Sequence, residues 1–130
     1  MAKKDLNVPQ RVPGDCFGYP VAANTRIFGR ALVALTAAGL AVPVGAADGV
    51  AFAGIAKESI DNRDGGDGEK TVSVLRDVRG FVFDATASDL NKPVYATDDE
   101  TLTLTAGGSA MRVGVIVGIG DGRVWVNLNI

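Results

Sequence analysis

The chain has 130 residues, of which 47% are hydrophobic and 22% are charged, and its formal net charge is −2. This length and composition predict one domain with its own hydrophobic core. The chain has no histidine and a single cysteine, Cys16. This composition excludes histidine-based nucleophile pairs, the usual zinc sites and an internal disulfide, and favours a reduced intracellular origin.

Charge is distributed unevenly along the chain. Residues 1–30 hold five Lys or Arg side chains against two Asp, a net charge of +3, whereas residues 31–130 hold eight basic against thirteen acidic side chains, a net charge of −5. Binding to nucleic acid requires concentrated positive charge, so the acidic body argues against a nucleic-acid partner. The basic N-terminal part is suited instead to an acidic surface.

Residues 1–26 are predicted to form an extended N-terminal arm that is dispensable for folding. The stretch has no sustained helix or strand period and is interrupted by prolines and glycines, and its first lysines lead into a polar run that is unlike a secretory signal. Its apolar side chains predict that it orders against another surface, with packing on its own domain as the alternative. The residues predicted to make that contact are Lys3, Lys4, Val8, Arg11, Val12, Phe17 and Tyr19.

Residues 27–130 are predicted to form the domain, and its first part is free of charge from residue 31 to residue 47. Gly39, Pro43 and Gly45 interrupt this stretch, which is shorter than the roughly 20 residues that a membrane-spanning helix needs, so no membrane segment is predicted. A hairpin of strands 30–35 and 40–44 fits better, with Pro43 on an edge strand. Residues 50–60 predict another strand, in which Gly54 marks a bulge or a close approach.

Residues 61–70 form an acidic, glycine-rich loop that has two interpretations. A calcium loop would use several of its four carboxylates, but the spacing does not match an EF-hand. The favoured interpretation is a mobile hairpin tip, because Gly and Asp clusters are typical of exposed turns. No catalytic, cofactor-binding or metal-binding residue is predicted here or elsewhere in the chain.

The remaining residues predict short strands and turns. Strands are expected at 71–75 and 78–84, a single helical turn within 84–91, and a hairpin of 94–97 and 101–105. The acids of the turn at 98–100 are expected to point into water, which argues against catalysis. The period of two in residues 111–130 predicts a closing hairpin around Gly120–Gly122, with Val113, Val115, Val117 and Ile119 facing the core from its first strand.

The pattern of residues 27–130 resembles the capsid decoration, or cement, proteins of tailed bacteriophages. The resemblance is carried by Gly29-Arg30-Ala31-Leu32-Val33, by Gly54-Ile55-Ala56, by Lys92-Pro93-Val94-Tyr95-Ala96-Thr97-Asp98-Asp99 leading into Leu102-Thr103-Leu104, and by Arg112-Val113-Gly114-Val115-Ile116-Val117 followed by Val124-Trp125-Val126-Asn127-Leu128. Proteins of this family are compact β-rich modules that sit on the outside of the head shell, often as oligomers, and stiffen it.

The resemblance implies a structural protein and not an enzyme, made in the host cytoplasm and located on the outer surface of the virion. Its partners would be the major capsid protein and copies of itself. The charge-free stretch 31–47 is expected to hide apolar surface against a copy of the chain, in a trimer or, as the alternative, in a dimer. The basic, apolar arm is expected to lie on an acidic surface of the capsid. The fold predicted from the residues is all-β, a small β-barrel or sandwich of short antiparallel strands with an extended N-terminal arm. The alternative function is a surface-displayed module that binds a ligand or glycan through residues 61–70.

Overall fold

Short runs of β-branched and apolar residues, separated by turns that contain glycine, form the strands of this protein. A computed structural model describes residues 3–5, 7 and 16–129. In these residues the elements are β1 Phe17–Pro20, β2 Thr25–Ile27, β3 Leu32–Thr36, β4 Ala41–Pro43, β5 Gly49–Ala56, β6 Ile60–Asn62, β7 Thr71–Leu75, β8 Val78–Phe81, a 3-10 turn Ala87–Asp89, β9 Pro93–Ala96, β10 Leu102–Thr103, β11 Met111–Gly120 and β12 Arg123–Asn127. None of the described helical turns is long and apolar enough to cross a membrane.

The strands of the described residues form three antiparallel sheets. The first five-stranded sheet has the order β1-β7-β5-β3-β4, the second has the order β10-β9-β11-β12-β8, and β2 pairs with β6 in a small third sheet. The prediction of an all-β fold is confirmed, and of its two forms the structure is a sandwich rather than a closed barrel.

The main hydrophobic core lies between the two large sheets. Leu32, Ala34 and Ile55 enter it from the first sheet, and Ile116 and Val126 enter it from the second. Each of these side chains is at most 3% exposed. Burial of large aliphatic side chains contributes about 1.5–3 kcal/mol for each of them, so this layer is the main source of stability.

A second hydrophobic cluster covers the other face of the first sheet. Val33 and Ala53 point into it and meet Val21 and Ile27 from the N-terminal part of the chain. The first sheet is therefore buried on both faces, which explains why its strands β3 and β4 read as a continuous apolar run without alternation. The charge-free stretch 31–47 is thus largely core of its own domain.

Local turn predictions are confirmed. Asp121 and Gly122 both have positive φ angles, +57° and +73°, between β11 and β12, the combination that a two-residue type I′ hairpin turn requires. Pro43 lies on β4, the outermost strand of its sheet. Gly54 has φ +143°, and a Cβ there would lie 2.5 Å from the carbonyl oxygen of Leu75, so the predicted close approach is real.

The predicted inward face of β11 is wrong at Val115 and Val117, whereas Ile119, which pairs with the buried Val124, lies on the predicted face. The pairing register shifts between Arg112 and Gly114 against β9, and again between Ile116 and Gly118 against β12. Each shift inserts an extra residue into β11 and reverses which face the following side chains occupy. Ile116 is consequently fully buried, whereas Val117 is 45% exposed. On β12 the predicted alternation holds, with Val124, Val126 and Leu128 buried.

The N-terminal arm is shorter than the predicted 1–26. β1 pairs with β7 along its whole length, from Phe17 opposite Val74 to Pro20 opposite Thr71. Val21 is completely buried, and Ala22 is 8% exposed. The described residues from β1 to β2 therefore belong to the domain, because their apolar side chains cover the outer face of the first sheet. Only residues before β1 remain as a candidate arm.

Candidate functional site

The two stretches that the sequence singles out, the N-terminal segment and the acidic loop 61–70, meet in the structure. Residues 20–24 run beside the loop and exchange backbone hydrogen bonds with it. The Val21 N–H donates to the Lys70 carbonyl at 2.8 Å, the Gly68 N–H donates to the Val21 carbonyl at 2.9 Å, and the Asn24 N–H donates to the Gly65 carbonyl at 3.2 Å. The loop is therefore tied to the body of the protein.

The loop is also not the tip of a hairpin, as the sequence predicted. The strand before it, β6, pairs with β2, whereas the strand after it, β7, pairs with β1 and β5. The loop consequently joins two different sheets. Its glycines allow a compact turn that packs against the N-terminal segment.

Asn62 lies at the centre of this junction and is only 1% exposed. Its side-chain NH2 group faces three backbone carbonyls, those of Val21 at 3.3 Å, Ala22 at 3.0 Å and Gly66 at 3.1 Å. Three acceptors on one side fix which end of the amide carries the nitrogen. The Oδ1 atom then points the other way and has no hydrogen-bond partner among the described residues.

An unpaired buried acceptor is unfavourable by about 1–3 kcal/mol, so a group that bound Asn62 Oδ1 would stabilise the folded protein. The sequence gives no signal for Asn62, because an asparagine in a run of Asp, Gly and Arg looks like any exposed turn residue. Only the pairing of β6 with β2, which buries its last residue beneath residues 20–24, distinguishes it.

Two carboxylates of the loop have structural partners. Asp61 accepts hydrogen bonds from Arg63 Nε at 2.9 Å and Nη2 at 2.7 Å, and this guanidinium holds the pKa of the Asp61 carboxyl well below its usual range. Asp67 Oδ1 accepts the Ala23 N–H at 2.7 Å and thereby fastens the loop to the N-terminal segment. Both carboxylates therefore make structural contacts within the protein.

The other two carboxylates, those of Asp64 and Glu69, make no hydrogen bond within the described residues. They line a surface cleft of about 300 Å³ together with Asp61, Asn62, Gly65 and Lys70. Lys70 Nζ donates to the Asp61 carbonyl oxygen at 2.7 Å. A Cβ on Gly65 would overlap Asn62 Oδ1 and would lie 2.6 Å from a carboxylate oxygen of Glu69. These two acceptor oxygens therefore converge beside Gly65.

The structure describes four of the seven residues assigned to the arm's contact surface. Lys3 and Lys4 are exposed. Phe17 is 41% exposed on β1. Tyr19 is half-buried and packs against the second hydrophobic cluster, so part of its ring serves the domain itself. The remaining three, Val8, Arg11 and Val12, lie outside the described residues.

No protein-family model, curated protein or solved structure matches this chain.

The acidic turn at 98–100 has a structural role. Asp98 Oδ1 accepts the backbone N–H groups of Glu100 at 2.9 Å and Thr101 at 2.8 Å, and these bonds lower the pKa of its carboxyl. Burial raises the pKa of the neighbouring Asp99 carboxyl, and the charge of Asp98 adds to that effect. Asp98 and Glu100 are exposed as expected, although Asp98 also holds the turn, and the expectation that these acids point into water is wrong for the half-buried Asp99.

A second cleft, of about 280 Å³, lies beside this turn. It is lined by Phe28, Gly29, Arg30, Ala31, Phe81, Asp99 and Glu100. Phe28 is 53% exposed and carries the Arg26 guanidinium 4.5 Å from its ring centroid. Within the residues that the structure describes, no three His, Cys, Asp or Glu side chains are grouped closely enough to hold a metal by themselves.

Proposed function

We propose that this protein is a structural virion protein that binds the outside of a tailed-bacteriophage capsid lattice and stabilises the head, with the major capsid protein as its partner. The observation that carries the proposal is where the residues of the resemblance lie. Most of them fall on β3 and β5, two of the three inner strands of the first sheet, and on β9, β11 and β12, the inner strands of the second; Leu102 and Thr103 form the edge strand β10. The residues that resemble the decoration proteins are thus mainly those that build the β-sandwich.

The surface proposed to face the capsid is the exposed part of β1 with the residues that precede it. Among the described residues β1 is the last strand of its sheet, and its Phe17 ring is 41% exposed. Lys3 and Lys4 add exposed positive charge before this strand. Together these features suit an acidic groove on a neighbouring subunit.

We also propose a homo-oligomer, with a trimer preferred to a dimer, but with a different contact surface from the one that the sequence suggested. The stretch 31–47, which the sequence suggested as the interface, is largely buried in its own domain. Exposed large apolar side chains occur instead at Phe28, Val50, Val78, Val82, Leu90, Val117 and Ile119. We propose that some of these side chains lie in the contacts between subunits.

The test uses phage heads assembled without the protein, to which the purified full chain is added back. We expect electron microscopy to show added density on the outer shell, and we expect the heads to retain their DNA to a higher temperature, measured with a DNA-binding dye. Heads that bind no protein, or that release DNA at the same temperature with and without it, contradict the proposal.

Charge reversal tests the contact surface within the same assay. The triple variant Lys3→Glu, Lys4→Glu, Arg11→Glu should bind heads more weakly, and the loss should be larger at low salt, because exposed charges are screened beyond about 10 Å at 0.1 M ionic strength. The control variant Lys57→Glu, Arg112→Glu changes two exposed basic residues elsewhere on the domain. Equal losses in the two variants would show that net charge, and not the N-terminal surface, governs binding.

A further inference from the structure

The junction between the N-terminal segment and loop 61–70 contains two acceptor oxygens that both lie beside Gly65. Asn62 Oδ1 is buried and has no hydrogen-bond partner among the described residues, and its orientation is fixed by the three carbonyls around its NH2 group. A carboxylate oxygen of Glu69 approaches the same place beside Gly65. An amide oxygen and an ionised carboxylate can only accept, so neither can satisfy the other. A cation or a hydrogen-bond donor between them would stabilise both oxygens.

The chemistry of the surrounding groups favours a cation. The cleft into which Asn62 Oδ1 points is lined by carboxylates, and two of these, Asp64 and Glu69, make no hydrogen bond within the described residues. Of the basic side chains nearby, Arg63 pairs with Asp61, and Lys70 uses one of its three donors on the Asp61 carbonyl. The cleft therefore keeps negative charge beside an unpaired neutral oxygen.

We propose that Asn62 Oδ1 and the Glu69 carboxylate bind a calcium ion, with Asp64 as a further ligand on the rim of the cleft. Calcium accepts amide and carboxylate oxygens at about 2.3–2.6 Å in a flexible geometry and completes its shell with water, whereas magnesium demands a nearly ideal octahedron. Because so few protein ligands converge, the affinity falls in the weak range of about 10⁻⁴–10⁻³ M.

Gly65 is required for this arrangement. The space beside its Cα is where Asn62 Oδ1 and the Glu69 carboxylate approach each other, and any side chain there would overlap the amide oxygen. A bound ion would also fasten loop 61–70 against residues 20–24, because Asn62 holds the carbonyls of Val21 and Ala22 through its NH2 group. Calcium would thus stabilise the anchoring of the N-terminal segment. This site does not depend on the proposed capsid function.

The experiment is a calcium titration of the full chain after removal of divalent ions. At about 10 mM calcium, roughly tenfold above the weak end of the expected dissociation constants, we expect the melting temperature to rise by about 5 °C. The same concentration of magnesium should give a much smaller rise. Isothermal titration calorimetry with calcium chloride should show one site per chain.

The variant Glu69→Gln removes one ligand charge from an exposed side chain and should abolish the calcium-dependent rise while leaving the metal-free melting temperature nearly unchanged. Glu58→Gln removes an equally exposed glutamate that lies outside the loop, and should keep the full response. A response that persists in Glu69→Gln, or one of equal size with magnesium, overturns the assignment. So does the absence of any response, which would mean that a water or the Lys70 ammonium satisfies Asn62.

Discussion

Removal of the N-terminal residues in two steps should separate a dispensable arm from a structural segment. Deletion of residues 1–15 stops before β1, whereas deletion of residues 1–25 also removes β1 and the buried Val21 and Ala22. We expect the first truncation to leave a cooperatively folded domain and the second to unfold it. The sequence-based prediction is instead that a chain beginning at residue 26 folds alone, and the second truncation decides between the two.

The magnitude follows from the contacts that are lost. Complete burial of a valine side chain contributes about 1.5–3 kcal/mol, and Val21 is 0% exposed. The longer deletion also takes away two of the three carbonyls that face the Asn62 NH2 group, and an unpaired buried amide is unfavourable by about 1–3 kcal/mol. With the loss of β1 the total reaches about 5 kcal/mol or more, which is comparable with the whole stability of a small domain.

A point substitution gives the same information without truncation. Val21→Ala should lower the free energy of unfolding by about 2 kcal/mol and the urea midpoint by about 1 M, since urea m values for such domains are roughly 2 kcal/mol/M. The half-buried Trp125, whose indole N–H donates to the Gly120 carbonyl at 3.1 Å, supplies the fluorescence signal. Val50→Ala, at a position that is 65% exposed, is the matched control and should change the midpoint little. Equal midpoints for the two variants, or an unchanged midpoint after deletion of residues 1–25, would refute the reasoning.

Two further predictions concern the space around two glycines and the pH dependence of stability. Gly54→Ala should lower the urea midpoint by more than Gly39→Ala, although both glycines have positive φ. The added Cβ at Gly54 would lie 2.5 Å from the Leu75 carbonyl oxygen, whereas the one at Gly39 would meet nothing within 4 Å. Similar losses in the two variants would mean that backbone strain from the positive φ alone determines the loss. Asp98→Ala should destabilise the protein above about pH 4, because the pKa of the Asp98 carboxyl is lowered in the folded state. The stabilising effect of the ionised carboxylate is lost as the pH falls through that lowered value. A difference in urea midpoint between variant and parent that persists undiminished in acid would contradict this.

Much of the local structure could be predicted from the sequence, because it depends on a few neighbouring residues. The turn at Asp121 and Gly122 follows from residues that tolerate positive φ between two apolar runs. The hairpin of β3 and β4 follows in the same way from Gly39. The alternation of Val124, Val126 and Leu128 predicts which side of β12 is buried, since that strand pairs with β8 without a register shift.

The faces of β11 could not be predicted. A period of two identifies a strand, but a single inserted residue reverses the side on which all later side chains lie. The two register shifts depend on how β9 and β12 pair with β11. Ile116 therefore reaches the core although the alternation placed it outside.

The sequence by itself determined that the chain is all-β, that its turns lie where glycine and aspartate cluster, and that its N-terminal part is basic, because these properties are local or compositional. The tertiary structure alone decided that β1 pairs with β7, more than fifty residues away, and that Val21 lies in the core. It also decided that Asn62 is buried and that its side-chain oxygen has no hydrogen-bond partner among the described residues. Burial and pairing at such separations are properties of the assembled sheets, and no short window of the chain contains both partners.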